Sequence, residues 1–195
     1  MSSERTLLIL GAGGHGKAVA EAALLSGEWQ RVLFVDDRWP QLTESFGISV
    51  VGNLGCLERL SDQVDAGIAA VGNNELREVW QTALVAARIP LACVVHPRAW
   101  VSPSADVGPG TAVMAMAVVG TDARLGRGVI VNAGAIVDHD AQVGDFGHLG
   151  VGVSLAGGVH VASAAWLQAG CSAGYGVVVE STAVLAPGTV LKAKD

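Results

Sequence analysis

Two stretches of the chain carry residues whose types and spacing suit chemistry. The first is Asp138-His139-Asp140, an imidazole with a carboxylate on either side. Histidine titrates near neutral pH and is the natural proton acceptor there. The second is Gly11-Ala-Gly-Gly-His-Gly-Lys-Ala18, which follows the apolar run Thr6–Leu10. Gly11, Gly13 and Gly16 satisfy the dinucleotide fingerprint G-x-G-x-x-G. The same residues also satisfy the phosphate loop G-x-x-x-x-G-K, except that Ala18 stands where a hydroxyl would hold magnesium. Under either reading the glycines let the backbone approach a pyrophosphate, and the following helix N-terminus favours its charge. Asp36 lies twenty residues beyond Gly16 and would suit a ribose in a dehydrogenase.

The elements that must hold these residues fall into two grammars. Up to about residue 94, apolar strands alternate with helices. TLLIL, RVLFVDD, ISVVG, AGIAAVG and LACVV read as strands, while GKAVAEAALLSG, LGCLERLSDQV and NNELREVWQTALVAARI read as helices. The last of these places Leu76, Val79, Trp80, Ala83, Leu84 and Ala87 on one face, with Asn73 or Asn74 as its cap. Alternation of this kind predicts a parallel α/β sheet. The unit matches one mononucleotide half of a doubly wound fold, a Rossmann-like half-domain over residues 1–94.

From Val95 the period becomes six. Residue 95 and every sixth position to 191 are Val or Leu, with Ala173 the single exception, and the fifth residue of each hexad is Ala, Thr, Val, Gly or Cys. One aliphatic and one small inward position per six residues build a parallel β-helix. About three hexads close each triangular coil, and roughly five coils span residues 95–195.

Composition narrows the partners. The 195 residues carry a net charge of −6 and are 51% apolar. Basic residues number 7 against 11 acidic before position 95, and 5 against 7 after it. Neither half offers the basic surface that nucleic acid or an anionic membrane requires. No apolar run approaches a membrane span. Cys56, Cys93 and Cys171 contain no C-x-x-C and suit a reducing cytoplasm.

The strings GAGGHGK, VDD, AVGNNELR, SPSADVG and DHDAQVGDFGHLGVGVSLAGGV are together similar to the PglD/NeuD-like sugar acetyltransferases, over nearly the whole chain. The resemblance implies a left-handed β-helix of hexapeptide repeats. It also implies N-acetylation, with acetyl-CoA as co-substrate, of a UDP- or GDP-linked amino sugar, and a homotrimer with active sites between subunits. On the same basis the glycine turn binds the nucleotide of the sugar, with no hydride transfer and no ATP cleavage. His139 becomes the base and Asp140 its acidic partner, where relatives commonly have glutamate. His148 would contact the acetyl carbonyl or the incoming substrate, and the Gly157 N–H would serve the oxyanion. Gly13, Gly14, His15, Gly16, Asp36, Asp37, Asn73 and Asn132 are assigned to the sugar nucleotide. Lys192 and Lys194 could approach the CoA phosphates. His96 and His160 receive no role.

Other classes share parts of the pattern. A sialic acid O-acetyltransferase and a catalytically silent sugar-nucleotide module would both retain the fold. Some trimeric β-helices are zinc carbonic anhydrases, but His139, His148 and His160 are 9 and 12 apart, off the eighteen-residue stacking interval. No metal is therefore expected.

Overall fold

The computed structural model describes residues 4–193. Its amino-terminal part is a three-stranded parallel sheet: β1 (Thr6–Leu10) lies between β2 (Arg31–Val35) and β5 (Ala66–Ala69). Single bridges widen it, Val50 beside Phe34 and Leu91 beside Gly67. Leu7, Leu8, Ile9 and Leu10 are fully buried because the sheet is covered on both sides. Helix α1 (Gly14–Ser26) ends at Gly27, whose φ of 72° supplies the left-handed cap. Between β2 and β5 run a two-residue antiparallel pair, β3 (Glu44–Ser45) with β4 (Ile48–Ser49), and the short α2 (Leu57–Leu60). The expected helix over LGCLERLSDQV is thus one α-turn flanked by 3₁₀ turns at Leu54–Cys56 and Ser61–Gln63. Helix α3 (Asn74–Ala86) completes the unit.

A left-handed parallel β-helix follows, beginning at β6 (Val94–Val95), so LACVV contributes only the Leu91 bridge to the sheet. Two-residue strands stack in three faces of six, six and five, each strand pairing with the one eighteen residues on. The aliphatic position of every hexad points inward, and Val113, Val119, Val131, Val137, Leu149, Val161 and Leu167 are fully buried. Each such side chain contributes roughly 1.5–3 kcal/mol relative to exposure.

The faces differ on their outer surface. Val94, Ala112, Ile130, His148, Trp166 and Val184 form a junction face, and Val94 and Ala112 join the core beneath α1. An open face carries Trp100, Val118, Ile136, Ser154, Ser172 and Val190. A polar face carries Asp106, Arg124, Gln142, His160 and Val178.

Helix α3 lies along the edge between the polar and junction faces. Its buried side is Arg77, Trp80, Gln81 and Leu84, whereas Leu76 and Val79 are 37% and 59% exposed. The apolar face expected from the sequence is therefore rotated, and the physical reason is hydrogen bonding. Asn74 Nδ2 donates to Ala164 O (2.8 Å), Arg77 Nη2 to Phe146 O and Nε to Gly128 O (2.7 Å), and Gln81 Nε2 to Pro109 O (3.1 Å). The corner carbonyls of Ala164, Phe146 and Gly128 receive their donors from α3, and Pro109 O accepts from both Gln81 and the Gly128 N–H.

Candidate functional site

The corner between the open and polar faces holds Thr121, His139, Gly157 and Tyr175, one per coil. Asp140 follows His139 at φ 59°, a left-handed conformation that aspartate tolerates better than most residues. Its Oδ2 lies 2.8 Å from His139 Nδ1. An ionised carboxylate can only accept, so Nδ1 carries the proton and Nε2 presents its lone pair. Asp138 Oδ1 accepts from the His139 backbone N–H at 2.8 Å and fixes the corner. The Asp140 hydrogen bond, aided by the charge of Asp138, holds the His139 pKa above its ordinary value. The imidazole lies over Gly157, where a Cβ atom would stand 2.5 Å from Cε1 and Nε2. Among the described residues the Gly157 N–H has no protein acceptor.

The glycine turn lies elsewhere. Gly11, at φ 103°, ends β1, and a Cβ on Gly16 would collide with the Gly11 carbonyl, so these two glycines pack helix against strand. Gly13 and Gly14 are exposed, and a Cβ on either would meet nothing within 4 Å. The N-terminus of α1, with no side-chain cap on Gly13, thus faces open space. Asp36 is 7% exposed and its carboxylate is occupied. Oδ2 accepts from the Ala12 N–H at 2.8 Å, and both oxygens bind the Arg38 guanidinium at 2.7 and 3.0 Å. Arg38, with desolvation opposing and the Ala12 hydrogen bond assisting, pulls the Asp36 pKa down to about 2. Asp36 therefore braces the turn, while Asp37 beside it is exposed.

His15 and His148 meet where the two parts join. His148 is 8% exposed, donates from Nδ1 to Gly72 O at 3.0 Å, and stacks on Trp166 at 5.4 Å between centroids. Burial, reinforced by the Arg77 charge, lowers its pKa to about 4. His15 is lowered to about 4 by burial and by His148 and Arg77, and its Nε2 is buried without a partner. Both rings are thus neutral at physiological pH. Asn73 is the cap of α3, accepting from the Leu76 N–H at 2.8 Å, and Asn132 Oδ1 accepts from the Ala133 N–H at 2.8 Å within its own corner.

Within one chain the structure brings together two groups. His139, Asp140 and Gly157 share one edge. The glycine turn, His15 and His148 share the junction side, so His148 is not beside His139. Lys192 lines a groove of about 390 Å³ next to the His139 edge, with Ile136, Asp138, Ser154 and Ser172. Lys194 falls outside the described residues. Among the described residues, no three His, Cys, Asp or Glu side chains converge to hold a metal. The sequence reading missed Arg77, Gln81, Arg38 and Tyr175. Tyr175 was recoverable, since it lies two coils of eighteen beyond His139.

Residues 6–84 match the PglD N-terminal domain family. The whole fold matches the acetyltransferase domain of PglB from Neisseria gonorrhoeae FA1090, solved in complex with acetyl coenzyme A. That match has a TM-score of 0.91 and 35% identity over 97% of this chain and 94% of that one. This chain belongs to the PglD-like sugar acetyltransferases. PerB from Caulobacter crescentus, solved with CoA and GDP-perosamine, is 34% identical with a TM-score of 0.84, covering 95% of this chain and 91% of that one. The UDP-N-acetylbacillosamine N-acetyltransferase of Bacillus subtilis (strain 168) is 30% identical over 113 residues, 57% of this chain. The aligned stretch spans about half of that PglD-like relative, 52% of its length.

Proposed function

We propose that this PglD-like chain transfers the acetyl group of acetyl-CoA to the amine of a UDP- or GDP-linked amino sugar. The observation that carries the reading is the imidazole of His139, oriented by Asp140 and lying over Gly157. Nε2 accepts a proton from the amine as nitrogen bonds to the thioester carbonyl carbon. The carbonyl oxygen, becoming negative, is met by the Gly157 N–H. The carbon–sulfur bond then breaks, and the imidazolium returns its proton to the departing thiolate. Raised basicity at His139 suits both proton transfers near neutral pH.

The exposed N-terminus of α1 at Gly13 and Gly14 is the seat for the sugar nucleotide's pyrophosphate, and residues 1–94 and 95–195 divide the two tasks. Asp37, His15, Asn73 and Asn132 remain candidates for sugar or base contacts. Asn73 and Asn132 offer their Nδ2 groups, because each Oδ1 is engaged locally. His148, on the junction side, belongs with this half and reaches an acetyl group only across a subunit boundary.

A homotrimer reconciles the two separated groups. The open face leaves Trp100, Ile136 and Val190 exposed at 63%, 40% and 64%. Covering it with neighbouring chains would bring the glycine turn of one subunit to His139 of the next. No described helix is long and apolar enough to cross a membrane, and all three cysteines are free. We place the enzyme in the cytoplasm with its two substrates. The test incubates the protein with acetyl-CoA and panels of UDP- and GDP-linked amino sugars. Product heavier by one acetyl group, with equimolar free thiol, is expected from one of them. Free thiol without acetylated sugar, or no turnover on either panel, would overturn the reading. Co-expression of His139→Ala with Gly13→Val should restore about a quarter of the sites in a shared-site trimer.

A further inference from the structure

Sixteen hexad corners between residues 97 and 187 present an outward third residue. His139 and Tyr175 are the only aromatic rings among them, and Gly157, the only glycine, stands between the two. Tyr175 is 71% exposed, and its hydroxyl has no hydrogen-bond partner among the described residues. Nothing in the packing of the β-helix calls for a large ring there.

Its position relative to the base is specific. The imidazole covers Gly157, and the phenol ring stands before Gly158, whose added Cβ would lie 3.8 Å from the Tyr175 ring carbon Cζ and 4.0 Å from its oxygen. The ring centroids are 6.5 Å apart, inclined at 46°. That separation is close to two van der Waals contacts of about 3.5 Å, which leaves room for no more than one layer of atoms. A planar thioester carbonyl with its methyl group is one layer thick. Coils repeat at roughly 4.8 Å along the edge, so a chain extending from a carbonyl carbon at Gly157 meets the Tyr175 ring within a few bonds.

We propose that Tyr175 is the far wall of the acyl pocket and sets the length of acyl group the donor carries, admitting acetyl and excluding longer chains. The inference rests on His139 being the base and Gly157 the oxyanion donor. The wall is the ring, and the hydroxyl is dispensable. The experiment compares wild type, Tyr175→Phe and Tyr175→Ala with acetyl-, propionyl- and butyryl-CoA at saturating amino sugar. Wild type and Tyr175→Phe should share one strong preference for acetyl. In Tyr175→Ala the propionyl-to-acetyl ratio of kcat/KM should rise by about tenfold or more, the size of a one-methylene discrimination. The KM for the sugar should stay unchanged. A ratio within about twofold of wild type in Tyr175→Ala would overturn the proposal even if acetyl transfer is intact. If wild type turns over no donor, the acetyltransferase reading itself fails. Calorimetric titration of acetyl- and propionyl-CoA then reads the wall alone, and equal relative affinities in wild type and Tyr175→Ala would remove it.

Discussion

Gly157→Ala isolates the geometry of the base from its chemistry. The residue's φ lies outside the left-handed region, so alanine is compatible with the backbone, and the N–H remains in place. The new methyl would stand 2.5 Å from Cε1 and Nε2 of His139. Comfortable contact needs about 3.5 Å or more, so the ring must retreat by roughly 1 Å. The 2.8 Å hydrogen bond to Asp140 opposes that retreat. A displacement of that size at a reacting group costs about a hundredfold in rate. Steady-state kcat at saturating acetyl-CoA and amino sugar should therefore fall by ~10², with thermal stability changed by no more than about 1 kcal/mol. The double variant Gly157→Ala, His139→Ala should be no slower than His139→Ala alone, because both changes act through one ring. A single variant keeping more than half the wild-type kcat would refute the reasoning. So would a double variant far slower than His139→Ala, which would show that Gly157 acts by another route.

Because the partnership with Asp140 raises the His139 pKa, the base is protonated and inactive below that value, and kcat/KM should rise with pH above the ordinary histidine range. Asp140→Asn should move this acid limb to lower pH while lowering the plateau, as a full pH–rate profile would show. Gly13→Val should raise the KM for the sugar nucleotide and spare acetyl-CoA affinity, since the added side chain meets open space in the protein; calorimetry with each ligand separates the effects. Asp36 has a folded pKa of about 2, below its unfolded value, so its contribution is complete above pH 4 and lost as pH falls toward 2. It should amount to about 2 kcal/mol and be absent in Asp36→Asn, as urea unfolding across that window would reveal. Arg77→Met removes the donor to Gly128 O and Phe146 O and should cost about 3 kcal/mol of stability, read as a lower urea midpoint.

The β-helix was legible because its core imposes one rule on every coil: the same inward position must be aliphatic whatever lies outside. Val113 through Leu167 obey it without interruption. His139 stood out for the converse reason, as an outward corner residue between carboxylates where the adjacent corners of its own edge, Thr121 and Gly157, are small. Position along an edge was also encoded, modulo eighteen: His148, nine residues from His139, cannot share its edge. Helix α3 was harder. Amphipathic reading assumes that the buried face is the apolar one, yet Arg77 and Gln81 are 1% and 4% exposed. The partners that turn this face toward the β-helix are backbone carbonyls more than twenty residues away, Gly128 and Phe146 for Arg77 and Pro109 for Gln81, and carbonyls leave no mark in side-chain periodicity. Asp36 has a structural role that its position in the sequence did not show. Its place after β2 suits a ribose ligand, but the Ala12 N–H and the Arg38 guanidinium, both local, already occupy the carboxylate.

The ladder of donors from α3 has a consequence for how such chains can change length. One helical turn advances about 5.4 Å and one coil about 4.8 Å, so the two repeats run as a vernier scale. Asn74, Arg77 and Gln81 stay in step across the coils carrying Ala164, Phe146, Gly128 and Pro109, and a longer overlap would drift out of phase by about half an ångström per coil. A whole eighteen-residue coil can be inserted beyond Thr182, outside the ladder, and leave the mounting of the amino-terminal unit untouched. The same insertion between Pro109 and Ala164 would split the ladder and shift the His139 edge against the glycine turn by one rung. Natural or engineered variation in coil number should therefore be confined to the carboxyl-terminal end of the prism.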